Sequence, residues 1–397
     1  MIKWIREEFN ASFSREKYEN FLKELNSAHP GAIDFRIAET PIFIDRKFGQ
    51  QMMDTCEYII DFIKSPDFDA CTARSIPPSE VVPHQNDICH FISFDFGICE
   101  NHEGLFFPAL IEMQGFPTLF GMQAFYPEIL ERHFTIPDGF SHYFNELDKP
   151  GYIALLRRVI IGEHKPEEVI LLEIKPETQK TRIDFFCTSD YLGIRPVCIT
   201  DLKQEGREIY YIHNGIKTRV KRMYNRIIAD ELNAVKNELG PIIDMTSDLD
   251  VEWVPHPNWF YRISKFTLPF LNHPFIPTTF FLNELKSIPA DLENYVLKPL
   301  FSFAGQGVVI DLTRAHIEGI ADPENWILQR KVNYAPCIST PEEPAKAEVR
   351  LMYIWENGKE RPTLATNLAR LSKGKMIGVR YNKDKDWVGG SVAYFEQ

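Results

Sequence analysis

Much of what would mark a familiar chemistry is absent from these 397 residues. No apolar run approaches the roughly 18 residues that a membrane-spanning helix needs, so neither such a helix nor a membrane partner is expected. No two of the seven cysteines (56, 71, 89, 99, 187, 198 and 337) form a Cys-x-x-Cys pair, and their number is odd. Reduced, buried thiols fit that scatter better than zinc or a disulfide framework. None of the 11 histidines belongs to a His-x-x-x-His pair beside a glutamate, which excludes a zincin. No Gly-x-Ser-x-Gly elbow marks a serine hydrolase. Basic charge is in deficit: 44 Lys and Arg against 56 Asp and Glu leave a net −12. A reader of nucleic-acid backbones needs a positive face, so no nucleic-acid partner is expected. Repeats and low-complexity segments are missing too. The opening residues Met1–Glu8 lack the long apolar core and cleavage site of a secretory leader, and the expectation is a cytoplasmic protein.

What remains is an ordinary globular composition, 44% hydrophobic and 25% charged, with 30 Phe to fill large aromatic cores. The length exceeds one simple core and predicts two or three packed subdomains. Tyr18, Phe21, Leu22 and Leu25 share one helical face, and Met52, Cys56, Ile59, Ile60 and Ile63 share another. Both read as core stripes. A proline-rich loop near 76–83 leads into a β region. From 167 to 228, strand and helix patterns alternate through the apolar runs 168–174 and 195–199. That rhythm predicts a small α/β unit with a parallel sheet, followed by a helix from about Ile227 to Leu239. The predicted division is 1–165, carrying two acidic strands; 166–247, the small α/β unit; and 248–397, carrying a glycine-rich motif.

That motif is the most informative stretch, Tyr295 to Ile310. An apolar strand delivers Lys298, a short loop ends in Gly305-Gln306-Gly307, and β-branched residues follow at once. Closely spaced glycines let backbone N–H groups approach a polyphosphate without Cβ obstruction, and a lysine beside them supplies charge. The chain returns to strand after the glycines, whereas a Walker loop or a dinucleotide fold would enter a helix. Upstream, the segment 258–265 ends in a second lysine, Lys265. Pro277-Thr278-Thr279 then precedes an amphipathic stretch around Phe281, Leu282 and Leu285. By themselves a lysine and one glycine pair would serve an ordinary hairpin.

The N-terminal half carries a second constellation. Asp95 lies on one apolar run, and past a turn at Asn101 and Gly104 come Glu112 and Gln114. A hairpin would set Asp95 beside Glu112, while Glu112 and Gln114 project from one strand face. Hard oxygen donors of this kind suit Mg²⁺; a solvent-facing strand edge is the other reading. The basic run Lys217, Arg219, Lys221, Arg222 and Arg226 would steer an anionic substrate or form a solvated face. Arg74 and His84, in the loop before the acidic strands, read as structural or substrate-binding.

Together these motifs resemble the circularly permuted ATP-grasp group, which includes the synthetase part of glutathionylspermidine synthase. The likeness spans most of 88–390, and its mark is order: the acidic residues precede the lysines by roughly 150 residues. The basic segment 215–230 and the pair Glu348 and Arg350 on a late strand agree with it. The resemblance implies a mixed α/β (α+β) fold of ATP-grasp type, circularly permuted, with 166–247 as a pre-ATP-grasp-like unit. It implies ATP and Mg²⁺ as cofactors. In that scheme Lys265 and Lys298 hold the phosphates beneath the backbone of Ala304, Gly305, Gln306 and Gly307. Gln329 and Val332 hold adenine, while Asp95, Glu112 and Gln114 hold the metal. Arg350, with Arg370 as second candidate, stabilises an acyl-phosphate transition state.

The reaction so implied is ATP- and Mg²⁺-dependent carboxylate–amine ligation, forming an amide from small-molecule or peptide substrates. Many members of the group self-associate, which leaves a homo-oligomer open; no cysteine amidase domain is expected. Two departures stand out. Gln114 occupies the place of an Asn, and Ser93 the place of an arginine whose loss can cost ~10³-fold in rate. They motivate the alternative of a catalytically impaired protein that binds nucleotide as a sensor or scaffold. A kinase-like phosphotransferase is the third reading.

Overall fold

The computed structural model describes residues 2–302, 305–375, 377, 382 and 384–397. Ala304, expected among the phosphate-covering residues, lies outside them.

A five-stranded antiparallel sheet organises the chain. Strands Phe91–Glu100 and Phe106–Gln114 form a hairpin, as expected for the acidic pair. Phe91–Glu100 pairs on its other side with Lys346–Ile354, which pairs with Thr363–Ser372, and Gly389–Ser391 closes the edge. The segment expected as an N-terminal unit and the one expected as nucleotide-binding subdomains therefore build one sheet together. Period-two alternation decides its faces. Phe94, Phe96, Val349, Leu351, Ala369 and Leu371 share a core with helix Arg46–Lys64. That helix buries the stripe Met52, Cys56, Ile59, Ile60 and Ile63, and Asp45 caps it by accepting the Phe48 N–H. Registered pairs put Ser93, Asp95, Glu112, Gln114, Glu348, Arg350 and Arg370 on the opposite face. One sheet thus has an oily side and a charged one.

Helix Arg15–Ser27 buries Tyr18, Phe21 and Leu25, with Leu22 half-buried beside them. The parallel unit forms as its alternation predicts. Four parallel strands run in the order Glu252–Val254, Arg222–Asn225, Val169–Glu173, Arg195–Cys198. Val169–Glu173 is buried along its whole length, as a strand covered on both faces must be. A meander of Lys203–Glu205, Glu208–His213 and Ile216–Val220 is inserted into this unit. The helix that follows runs Ala229–Leu239, two residues shorter at its start than expected.

A third sheet carries the glycine-rich motif. Trp326–Arg330 pairs antiparallel with Tyr295–Pro299 on one side and with Thr279–Phe281 on the other. The strand expected after the glycines shrinks to one bridge, Val309 against Leu297. Pro299 at the head of the loop has no N–H to extend that ladder, and Gly305 and Gly307 turn the chain at φ +72° and +76°. Among the described residues no helix is long and apolar enough to cross a membrane, and all seven cysteines are free thiols.

Candidate functional site

The two lysines converge from different elements. Lys298 stands mid-strand and is only 7% exposed. Its ammonium donates to the Gln329 side-chain carbonyl at 2.6 Å and to the Ile111 backbone carbonyl at 3.2 Å. Gln329, fully buried, donates in turn to Thr279 Oγ1 at 3.2 Å. Three strands thereby fix one cation. Burial drives the Lys298 pKa down to about 8, with Glu112 pulling the other way. Gln329 was expected to meet adenine; its side chain is instead engaged in orienting Lys298. Val332 lies just past the strand end and is half-buried.

Lys265, also 7% exposed, opens the 3-10 turn Lys265–Phe270, which Ser264 caps by accepting the Phe266 N–H. It donates to the Ser302 carbonyl at 2.8 Å, at the root of the glycine loop. Burial lowers its pKa, opposed by Glu112 and Asp230. Within the loop, a Cβ on Gly307 would stand 3.0 Å from Pro299 Cγ, so the backbone lies close against the strand. Glu112, Gln114, Phe116, Lys265 and Ser302 line a crevice of about 40 Å³. It has room for about three waters.

On the charged face of the central sheet, Asp95 is fully buried and both its oxygens are taken. Arg350 donates through Nε to Oδ1 at 2.5 Å and through Nη2 to Oδ2 at 2.6 Å, and Arg370 adds a bond to Oδ2 at 2.8 Å. Arg370 also pairs with Glu348, whose second oxygen accepts from the Tyr334 hydroxyl at 2.9 Å. Burial works against the Asp95 charge, but the Arg350 and Arg370 guanidiniums outweigh it and hold the carboxyl below its usual range. Glu348 moves upward, because burial outweighs the attraction of Arg370. Arg370 also rises: burial lowers it, and Glu348 and Asp95 more than compensate.

The trio expected to hold Mg²⁺ does not fit that ion in this arrangement. Asp95 spends both oxygens on arginines, and the Gln114 amide donates to Glu112 Oε1 at 3.0 Å. Among the described residues no three His, Cys, Asp or Glu side chains are grouped to hold a metal. Arg350, expected at a transition state, is 4% exposed and serves as a buried counter-ion. Ser93 Oγ is buried with no hydrogen-bond partner among the described residues.

Comparison with known proteins adds a scaffold to this geometry. The chain is similar to the solved apo form of a glutathione synthetase-like effector from Globodera pallida. The two share 11% identity over 97% of this chain and 98% of that one, with a TM-score of 0.59. The fold is glutathione synthetase-like. At this identity the likeness concerns fold alone. No family model matches the chain, and no curated protein sequence does. This likeness supports the sequence resemblance at the coarser level of a glutathione synthetase-like fold.

The basic run divides on this scaffold. Lys217 pairs with Glu205, Arg219 with Glu208 and Asp250, Lys221 with Glu168, and Arg222 with Glu252. Arg226 differs. It is 4% exposed, with its guanidinium 5.0 Å over the Phe116 ring and 5.3 Å over Phe185. Nη2 lies 4.0 Å from Asp184, while Nε and Nη1 have no hydrogen-bond partner among the described residues. The Gln123 amide, Thr118 Oγ1 and Asp184 Oδ2 are buried and unpartnered in the same sense. Asp184 accepts the Met122 N–H at 2.9 Å, which holds this loop in place. Burial pushes Glu173 up to about 7, with Arg226 drawing it back. Phe116 also lines the Lys265 crevice, so this group of unpaired polar atoms adjoins it. Sequence signalled it only as one cation among five. Arg74, paired with Glu284 at 2.6 Å, and His84, 3.0 Å from Asp248, tie loops together.

Proposed function

We propose that this chain binds a nucleotide through its phosphates, on a circularly permuted ATP-grasp scaffold whose ligase chemistry is impaired. One observation carries the reading: Lys265 and Lys298 are both buried, held by Ser302, Ile111 and Gln329, and both feel the charge of Glu112, which lines the crevice with Lys265. Two neighbouring ammonium groups held out of water favour an anion that brings more than one oxygen. ATP is the nucleotide a glutathione synthetase-like scaffold suggests. Lys265, Lys298 and the backbone of 305–307 would hold its phosphates. Impairment is supported by Ser93 and by the engagement of Arg350 with Asp95. Phosphoryl transfer needs a cation aimed at the moving group. The seven free thiols suit a reducing, cytoplasmic setting.

Calorimetric titration with a non-hydrolysable ATP analogue tests the reading. Wild type should bind, and Lys298→Ala should lose at least tenfold in affinity. Equal affinity in the two proteins would overturn it.

An active carboxylate–amine ligase is the second reading, and Arg226 favours it. A buried guanidinium with two unpaired nitrogens beside the lysine crevice would receive a substrate carboxylate. Release of ADP with mixtures of amino acids, polyamines and short peptides would decide for it.

A further inference from the structure

We propose that Arg350 and Arg370 stand in for a divalent cation, so that this chain takes up nucleotide phosphates without Mg²⁺. The proposal rests on the nucleotide reading above and concerns the same site.

In a metal-assisted site a divalent ion neutralises the protein carboxylates and bridges to phosphate oxygens. Here the first task is already done by side chains. The Arg350 fork covers both oxygens of Asp95, and Arg370 joins Asp95 to Glu348. A guanidinium does not lose its proton in a protein, and its planar fork matches a carboxylate. The neutralisation is therefore permanent. A metal ion entering at Asp95 would break three charge-assisted hydrogen bonds and then sit beside two displaced cations.

The charge count points the same way. Lys265, Lys298, Arg350 and Arg370 are four cations facing four carboxylates, Asp95, Glu112, Asp230 and Glu348. Side chains alone balance the carboxylates of the cluster, with no metal added. Arg370 is the member that reaches solvent, with 36% of its side chain exposed, so it can meet a phosphate oxygen while holding Asp95 and Glu348. Gln114 agrees, since its amide faces Glu112 as a donor.

The test is calorimetric titration of wild type with a non-hydrolysable ATP analogue, once in EDTA and once in excess Mg²⁺. The expected dissociation constants agree within threefold. Tightening by tenfold or more with Mg²⁺ would overturn the proposal while leaving nucleotide binding intact. Absence of binding in both buffers would overturn the proposal and the nucleotide reading together. Arg350→Met supplies a second arm, with its fold checked by circular dichroism. Freeing Asp95 should weaken binding in EDTA at least tenfold, and Mg²⁺ should restore it. Wild-type-like, metal-indifferent binding by that variant would also overturn the proposal. If the variant does not fold, the wild-type comparison decides alone.

Discussion

Arg350 and Asp95 stand directly opposite each other on neighbouring antiparallel strands and share hydrogen bonds of 2.5 and 2.6 Å in the middle of the central sheet. Both are buried, so the pair belongs to the folding of the sheet as much as to the site. Removing one partner from a buried pair costs about 3–5 kcal/mol, chiefly because the other charge is stranded. Arg370 remains for Asp95, which places Arg350→Met near the lower end of that range. Adding Asp95→Leu removes the stranded charge and should recover most of the loss. Chemical denaturation of these two variants beside wild type checks this. A cost below about 1 kcal/mol for Arg350→Met would mean that Arg370 alone satisfies Asp95.

Lys298 carries a pH signature. Its pKa in the empty site is about 8, set first by burial. Phosphate groups complete their ionisation near pH 6, so the ligand's charge is constant above roughly pH 7. Below about 8 the lysine is already charged and affinity should be flat. Above it, binding must first take up a proton, and affinity should fall by up to tenfold per pH unit. Gln329→Glu would place a carboxylate where a carbonyl now accepts at 2.6 Å, raising the lysine pKa and moving the break upward. Titrations from pH 7 to 10 on both proteins test this. A break that stays put in Gln329→Glu would mean that Lys298 does not set it.

The parts legible in the sequence were those with a strong period or a spacing rule. The stripes at 18–25 and 52–63, the parallel unit and the Asp95–Glu112 hairpin follow from alternation and turn residues alone. The roles of Gln329, Arg350 and Arg226 were not legible, for one reason. Each is decided by a partner far along the chain: Lys298 for Gln329, Asp95 for Arg350, and the 116–123 loop with Asp184 for Arg226. A glutamine on a strand has no local pattern that says whether its amide will meet a ligand or a lysine. The shortened strand after Gly307 is a milder case. Its β-branched residues favour a strand, but the ladder stops at Pro299.

Glu173 and Arg226 make a coupled prediction. Burial lifts the Glu173 pKa to about 7, whereas an unfolded glutamate titrates near about 4.3. The folded chain therefore holds this proton more tightly than the unfolded one. Its contribution to stability is complete below about pH 4.3 and is lost as pH rises to about 7. Glu173→Gln should remove that loss, so its stability falls less steeply than wild type across this window. Arg226 is the charge that draws Glu173 down, so Arg226→Met should move the carboxyl further up. Carbon-13 titration of labelled glutamate reads the shift, and a downward movement in Arg226→Met would refute the coupling.

Gly97 shows how tightly the charged face is built. A Cβ there would lie 2.7 Å from Tyr334 Cε1 and 3.2 Å from the Ile111 side chain. The ring has little room to retreat, because its hydroxyl is tied to Glu348 at 2.9 Å and its backbone bridges to Cys99. Overpacking of this kind costs about 1–3 kcal/mol, which lowers the melting temperature of a chain this long by a few degrees. Losing only the hydroxyl, in Tyr334→Phe, should cost about 1 kcal/mol by leaving Glu348 one donor short. The two effects separate in a double-mutant cycle. If the ring is what the new methyl meets, Gly97→Ala should cost markedly less on a Tyr334→Leu background than on wild type. Simple additivity would mean that Ile111 or the strand itself absorbs the strain, and that Gly97 serves the hairpin rather than the Tyr334–Glu348–Arg370 chain of bonds.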